Sequence, residues 1–200
     1  AELKAFLFLL LKISNNHHRS PNFFDKIDQI FSFYKEQIKQ TYSNLEIFNF
    51  FKRNKRILLS LIKCNIIEFD QLITDILIEE VDPKYNKYQF YFYPEIKPFL
   101  SKEKIELIEK KCLEIDENFF NTIEKKRLRG ENDSYISVMI QNDSIVDFIS
   151  FVNQLNMNLS TIIKPSIFET NHFLLKSKEI SLIEYASFYG SMNIIDFLLK

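Results

Sequence analysis

Glycine is nearly missing from this chain: Gly130 and Gly190 are the only two in 200 residues. Phosphate-cradling loops need several glycines close together, so that backbone N–H groups can approach an anion. P-loop and dinucleotide-binding sites are excluded on that ground. Cysteine is equally sparse. Cys64 and Cys112 stand far apart, outside any metal-ligand or redox motif, and read as small, buried or half-buried thiols. Thiols of that kind fit a reducing compartment, so an intracellular, cytoplasmic protein is the expectation. Charge of one sign is lacking too. With 26 basic against 27 acidic residues the net charge is −1, and no global field draws the chain to nucleic acid or anionic lipid. Leu3 to Leu11 is apolar but far short of the roughly 20 residues a membrane span needs. No small-residue cleavage site follows it, so it does not read as a signal peptide.

What the chain has in quantity is apolar surface. Hydrophobic residues make up 46% of it, including 21 Phe, which is enough to bury a core. They recur at helical spacing. Ser20-Pro21 gives a start signal, and Phe23, Phe24, Ile27, Ile30, Phe31, Tyr34 and Ile38 form one stripe on a helix to about Gln40. Ser43 and Glu46 have the spacing of a capping box. A helix is expected from Asp70 to Glu80, and a short helix or irregular connector from Asp82 to Phe99. From Ser101 one long pattern runs through Ile105, Ile108, Cys112, Ile115, Phe119 and Ile123 to a basic end and Gly130. The fold class is therefore all-α, with a helical region over 1–129 and a second organisation over 130–200.

The second region carries a motif. Residues 181–200 read SLIEYASFYGSMNIIDFLLK, which resembles an ankyrin repeat: a capped helix, a glycine turn, then I-V-x-x-L-L. Ser181 caps the first helix with Glu184 as the box partner, and Ala186 lets a neighbouring helix approach. Gly190 supplies a left-handed turn, and Ser191 caps a second helix whose Ile194, Ile195, Leu198 and Leu199 form the buried stripe. Leu182 and Glu184 replace the family's Pro and His, so the repeat is divergent. A weaker copy lies upstream, where Ile145-Val146-Asp147-Phe148-Ile149 matches residues 194–198 at an offset of forty-nine. Against a period of about 33 residues, roughly sixteen extra must be housed in an enlarged finger between Leu159 and Ile180. The repeats are expected to continue past Lys200, in a chain that begins at Ala1 and reads as a fragment.

Other stretches resemble a family of protist ankyrin-repeat proteins with an uncharacterised helical region ahead of the repeats. They are Ser20-Pro21-Asn22-Phe23-Phe24, Asn54-Lys55-Arg56-Ile57-Leu58-Leu59, Gly130 to Tyr135, Ile163 to Ser166 and Glu169-Thr170-Asn171. The resemblance implies a divergent α-solenoid and supplies no catalytic residue.

Function is then expected from an ankyrin-type scaffold or adaptor that binds a protein partner, with no catalysis, cofactor or metal. The candidate contacts lie in the finger: Phe168, Glu169, His172 and Phe173, against the alternative that the loop packs as a cover. His17-His18 reads as an exposed pair, without further ligands at recognisable spacing. A competing reading is a helical nucleic-acid-binding module. It would use the basic runs at 52–56 and 125–129, the first with Phe50 and Phe51 beside it for stacking on bases. An enzyme with a cryptic helical site is a third reading, without a nucleophile–base signature behind it.

Overall fold

The computed structural model describes residues 2–17, 22–81, 87–164, 166–176 and 179–200, apart from the side chains of 16, 17, 80, 81 and 176. The start signal at Ser20-Pro21 and the Asp82-Pro83 pair lie outside them. Fourteen α-helices are present among the described residues. The chain folds as two compact units, Ala1–Arg129 and Gly130–Lys200. No described helix is long and apolar enough to cross a membrane.

The first unit begins with α1 (Glu2–His17), α2 (Phe23–Thr41), α3 (Asn44–Phe51) and α4 (Lys55–Lys63). Ser43 and Glu46 close a complete capping box at the start of α3, because a hydroxyl and a carboxylate three residues apart satisfy each other's backbone N–H. Asn54 caps α4 by accepting from Ile57 N at 2.9 Å. Its amide also donates to Ser14 Oγ at 3.1 Å and Asn15 Oδ1 at 2.9 Å, which ties the end of α1 to the start of α4. Phe31, Phe48 and Phe51 are fully buried between these helices. Each contributes roughly 1.5–3 kcal/mol of burial.

The unit continues with α5 (Gln71–Ile76), capped by Asp70, and a π-helical turn over Leu77–Val81. After the gap come α6 (Lys87–Tyr91), α7 (Tyr93–Ile96) and a 3-10 turn, Lys97–Phe99. The aromatic run at 88–93 is thus helical apart from a turn at Phe92, and among the described residues no strand pairs with it. The expected long helix after Ser101 is two helices, α8 (Lys102–Ile115) and α9 (Phe119–Arg129). Asp116 breaks it: the residue is extended, and its carboxylate takes Asn118 N at 2.8 Å and Lys126 Nζ at 2.7 Å. An Asp two residues before an Asn offers the backbone a side-chain acceptor that competes with helix.

Arg127 holds the far end of this unit. It is only 2% exposed. Its guanidinium grips both Glu95 oxygens, at 2.9 and 2.7 Å, and bonds Glu124 and the Tyr91 carbonyl. Tyr91 returns the contact by donating its hydroxyl to the Arg127 carbonyl at 3.2 Å. Burial pushes the Tyr91 hydroxyl well above its ordinary value, so it stays a donor.

The second unit is two helical hairpins. α10 (Tyr135–Gln141) and α11 (Ile145–Gln154) form the first, and α13 (Leu182–Tyr189) and α14 (Met192–Leu198) the second. α10 packs on α13, and α11 on α14. Between the hairpins lie β1 (Ile162–Ile163), α12 (His172–Lys176) and β2 (Ile180–Ser181), and the two short strands pair antiparallel. Leu182, Tyr185, Ala186, Ile140, Phe148 and Ile194 make the core.

The copies stand forty-seven positions apart, not the forty-nine given by the apolar letters. Asp143 and Gly190 are both left-handed, at φ 51 and 70. Ser144 and Ser191 follow with nearly equal backbone angles. Their N–H groups reach back to the Met139 and Ala186 carbonyls at 2.9 and 3.0 Å. Turn geometry sets the register, and the two pentads of similar letters enter their helices two residues out of phase. For the same reason the expected stripe on α14 is only partly inside: Ile194 is buried, Ile195 and Leu198 are half-buried, and Leu199 is 69% exposed.

Glu95→Ala leaves the Arg127 charge buried beside Glu124 alone, and is expected to cost on the order of 3 kcal/mol in denaturant unfolding. Glu95→Leu combined with Arg127→Met should recover much of that loss, and failure to recover any would show that the pair is not what the site requires. At Gly190 no atom lies within 4 Å of a built Cβ, so a substitution meets only backbone strain. Gly190→Val should cost about 1 kcal/mol or more, and Gly190→Asn distinctly less, because Asn tolerates the left-handed region. Equal melting midpoints for the two variants would contradict this.

Candidate interaction surface

The segment between β1 and β2 is laced to the start of the second unit. Thr170 donates to the Gly130 carbonyl twice, from its backbone N at 2.9 Å and its hydroxyl at 2.8 Å. Asn132 donates its amide to the Lys164 carbonyl at 2.8 Å, and Ser166 donates to Asp133 at 2.7 Å. Glu169 is buried and accepts from the N–H groups of Asn132 at 3.2 Å and Asn171 at 2.7 Å. A carboxylate held this way organises two stretches of backbone that lack helix or sheet partners of their own.

The four finger residues therefore separate. Phe168 is 2% exposed and Glu169 3%, so both belong to the packed base of the loop. His172 is half-buried at the start of α12. Phe173 is 59% exposed and stacks flat on half-buried Phe188 of α13, at 5.6 Å between centroids and 7° between planes. Asn171 fixes this arrangement by accepting from Phe173 N at 3.1 Å at the helix start. Leu175, one residue past the buried Leu174, is also exposed. Phe188 was not among the sequence candidates. Its only sequence signal is its place six residues after the start of α13, on the side opposite Ala186.

Beneath the surface runs a polar line. Gln141 donates to the Asn132 carbonyl at 2.7 Å and to the Tyr185 hydroxyl at 2.9 Å. Burial, only partly offset by Gln141, pushes Tyr185 up to about 12. Tyr185 thus stays neutral and serves as a fixed polar pin in the core.

The residues read as repeat-structural hold the second hairpin, with one change of role. Ser181 and Glu184 form a complete capping box on α13, and the carboxyl of Glu184 is held below its ordinary range by the Ser181 N–H and hydroxyl. Ala186 is fully buried where α10 meets α13. Gly190 closes α13 in the left-handed conformation. Ser191 does not cap α14. It is 2% exposed and its hydroxyl donates to the Ile140 carbonyl of the other hairpin. Asp143 caps α14 instead: Oδ1 accepts from Ile194 N at 3.1 Å, and Oδ2 from Asn193 N at 3.2 Å and Asn193 Nδ2 at 2.8 Å.

Each basic run is exposed only in part: Arg53, Lys125 and Arg129 stand out, and the other basic members are buried or half-buried. In the first, Asn54, Lys55 and Arg56 are buried, with Lys55 Nζ lying 5.0 Å from the Tyr91 ring centre. Phe51 is buried against Phe31, and Phe50 packs on Phe8 and Tyr42, so neither offers a free ring to a base. In the second, Lys126 pairs with Asp116 and Arg127 with Glu95 and Glu124. Among the described residues no three His, Cys, Asp or Glu side chains converge as metal ligands, and His18 lies outside them. No family model, curated protein or solved structure matches the chain.

Phe168→Ala should destabilise the second unit by about 3–5 kcal/mol, as truncation of a buried aromatic does. Phe173→Ala should cost about 1 kcal/mol or less, since only a stacked ring at the surface is lost. Thermal unfolding of the two variants checks the division, and a larger loss from Phe173 would reverse it.

Proposed function

We propose that the second unit is a pair of divergent ankyrin-type repeats and that the chain binds a protein partner without catalysing a reaction. The observation that carries this reading is the duplicated hairpin with one turn geometry, its copies joined through Asp143 and Ser191. Stacked hairpins of this kind present a continuous surface whose loops vary while the helices hold them. The segment between β1 and β2 serves as an enlarged finger, and the Phe173–Phe188 stack is its contact anchor. A flat aromatic pair, half desolvated and held by a capped helix, has little side-chain entropy left to lose on association. The free thiols of Cys64 and Cys112 fit an intracellular, cytoplasmic setting. The resemblance to protist ankyrin-repeat proteins belongs to the same reading.

The test is immobilised chain, wild type against Phe173→Glu, with captured proteins identified after chemical crosslinking. A defined protein held by the wild type and lost from a variant of unchanged melting midpoint is the expected result. Shift of a labelled oligonucleotide that weakens steeply with salt and ignores Phe173→Glu would overturn it in favour of nucleic-acid binding.

A further inference from the structure

A second feature lies in the first unit. Asn22, Phe23, Phe24, Asp25, Arg56 and Leu128 line a hollow of about 180 Å3. Pockets for drug-sized ligands begin near 300 Å3, so this one suits a single functional group. Its floor is the start of α2, a helix of 19 residues. Asn22 sits there in the left-handed conformation, and its side chain caps nothing. The N–H groups of the first turn have no acceptor within the helix, and they carry the positive end of its dipole.

Arg56 is the second, independent observation. It is 4% exposed, yet closes no ion pair among the described residues. One terminal nitrogen donates to Ser60 Oγ at 3.0 Å, and its plane stacks over Phe24 at 4.2 Å. Its Nε is buried and has no acceptor. Burial pulls the guanidinium below its ordinary value, against the opposing fields of Tyr91, Asp28 and Asp25. Neither carboxylate bonds it directly: Asp28 pairs with Lys63 through Oδ2 at 2.9 Å and keeps a buried Oδ1 without a partner, and Asp25 stands exposed in the first turn of α2. A buried cation without a direct ion pair is costly, and a helix start that faces the same space adds to the positive field.

We infer that this hollow binds one phosphate-type oxyanion, free or as the head of a small molecule, between the first turn of α2 and Arg56. The guanidinium and the backbone N–H groups are the two donor types that recognise such a group. Phe23, Phe24 and Leu128 supply the apolar wall; Asp25 in the lining and Asp28, whose field also reaches Arg56, are the unfavourable charges.

The experiment is calorimetric titration of the full chain with inorganic phosphate and, separately, glycerol phosphate, in chloride of matched ionic strength. Saturable binding of either at one site is expected. Equal affinities mark a site for the free ion, and at least about tenfold tighter binding of glycerol phosphate marks a site for an esterified head. Arg56→Met should weaken binding at least about tenfold, since a charged hydrogen-bond donor is lost. Asp25→Asn changes an exposed side chain and keeps the fold even where Arg56→Met does not, and it should tighten binding up to about fivefold. Absence of saturable binding in the wild type overturns the inference. So does affinity unchanged in Asp25→Asn together with affinity unchanged in a folded Arg56→Met.

Discussion

The carboxylate of Asp143 accepts from Asn193 and Ile194 at the head of α14 while its own backbone makes the left-handed turn that ends α10. One residue thus closes a helix in the first hairpin and opens a helix in the second. Ser191 answers in the other direction by donating to the Ile140 carbonyl at the end of α10. These two contacts join the hairpins at their turns. They also set the register at which Ala186, Leu182 and Ile140 meet. A hairpin slipped along its neighbour would leave a carboxylate and a buried hydroxyl without partners, which costs more than either bond gains.

The same device recurs because glycine is scarce. A chain with fourteen described helices needs many terminations, and glycine supplies two of them. Asn65, Asp143 and Asn156 take left-handed positions after helices that glycine would ordinarily fill, and Asn22 takes one at the start of α2. Ser43, Asn54, Asp70, Ser101 and Ser181 cap the helix starts with side-chain oxygens. The abundance of Asn in this sequence is therefore partly structural. An amide is the next best residue for a left-handed turn, since it bonds its own backbone there. The cost is that each such turn depends on a particular side chain, so Asp143 cannot be exchanged as freely as a loop residue.

Helix content was legible because the apolar spacing and the caps are local. The box at Ser43 and Glu46 and the turn at Gly190 needed only a few neighbouring residues to read. What the sequence obscured was long-range. The forty-nine-residue offset compared letters, whereas helix phase is set at the cap, so the structural register moved to forty-seven. Asp116 split a helix that its flanking stripe suggested was continuous, because one side-chain acceptor outweighed a regular period. The competing reading of the basic runs as a nucleic-acid surface could not see that Glu95, which pairs with the buried Arg127, lies thirty-two residues upstream. Of the finger residues, Phe168 and Glu169 are base and Phe173 is tip, a separation visible only once Asn132 and Gly130 were seen to hold the loop.

That separation bears on how the finger can act. A long loop ordinarily pays for binding by losing conformational freedom at the moment of contact. Here the segment is already fastened at Lys164, Ser166, Glu169 and Thr170, and α12 starts from a side-chain cap. The ordering cost has been met during folding, by hydrogen bonds to the first residues of the same unit. Phe173 is thereby presented on a short helix with its ring already seated on Phe188. The exposed aromatic is then a preorganised feature of the folded unit.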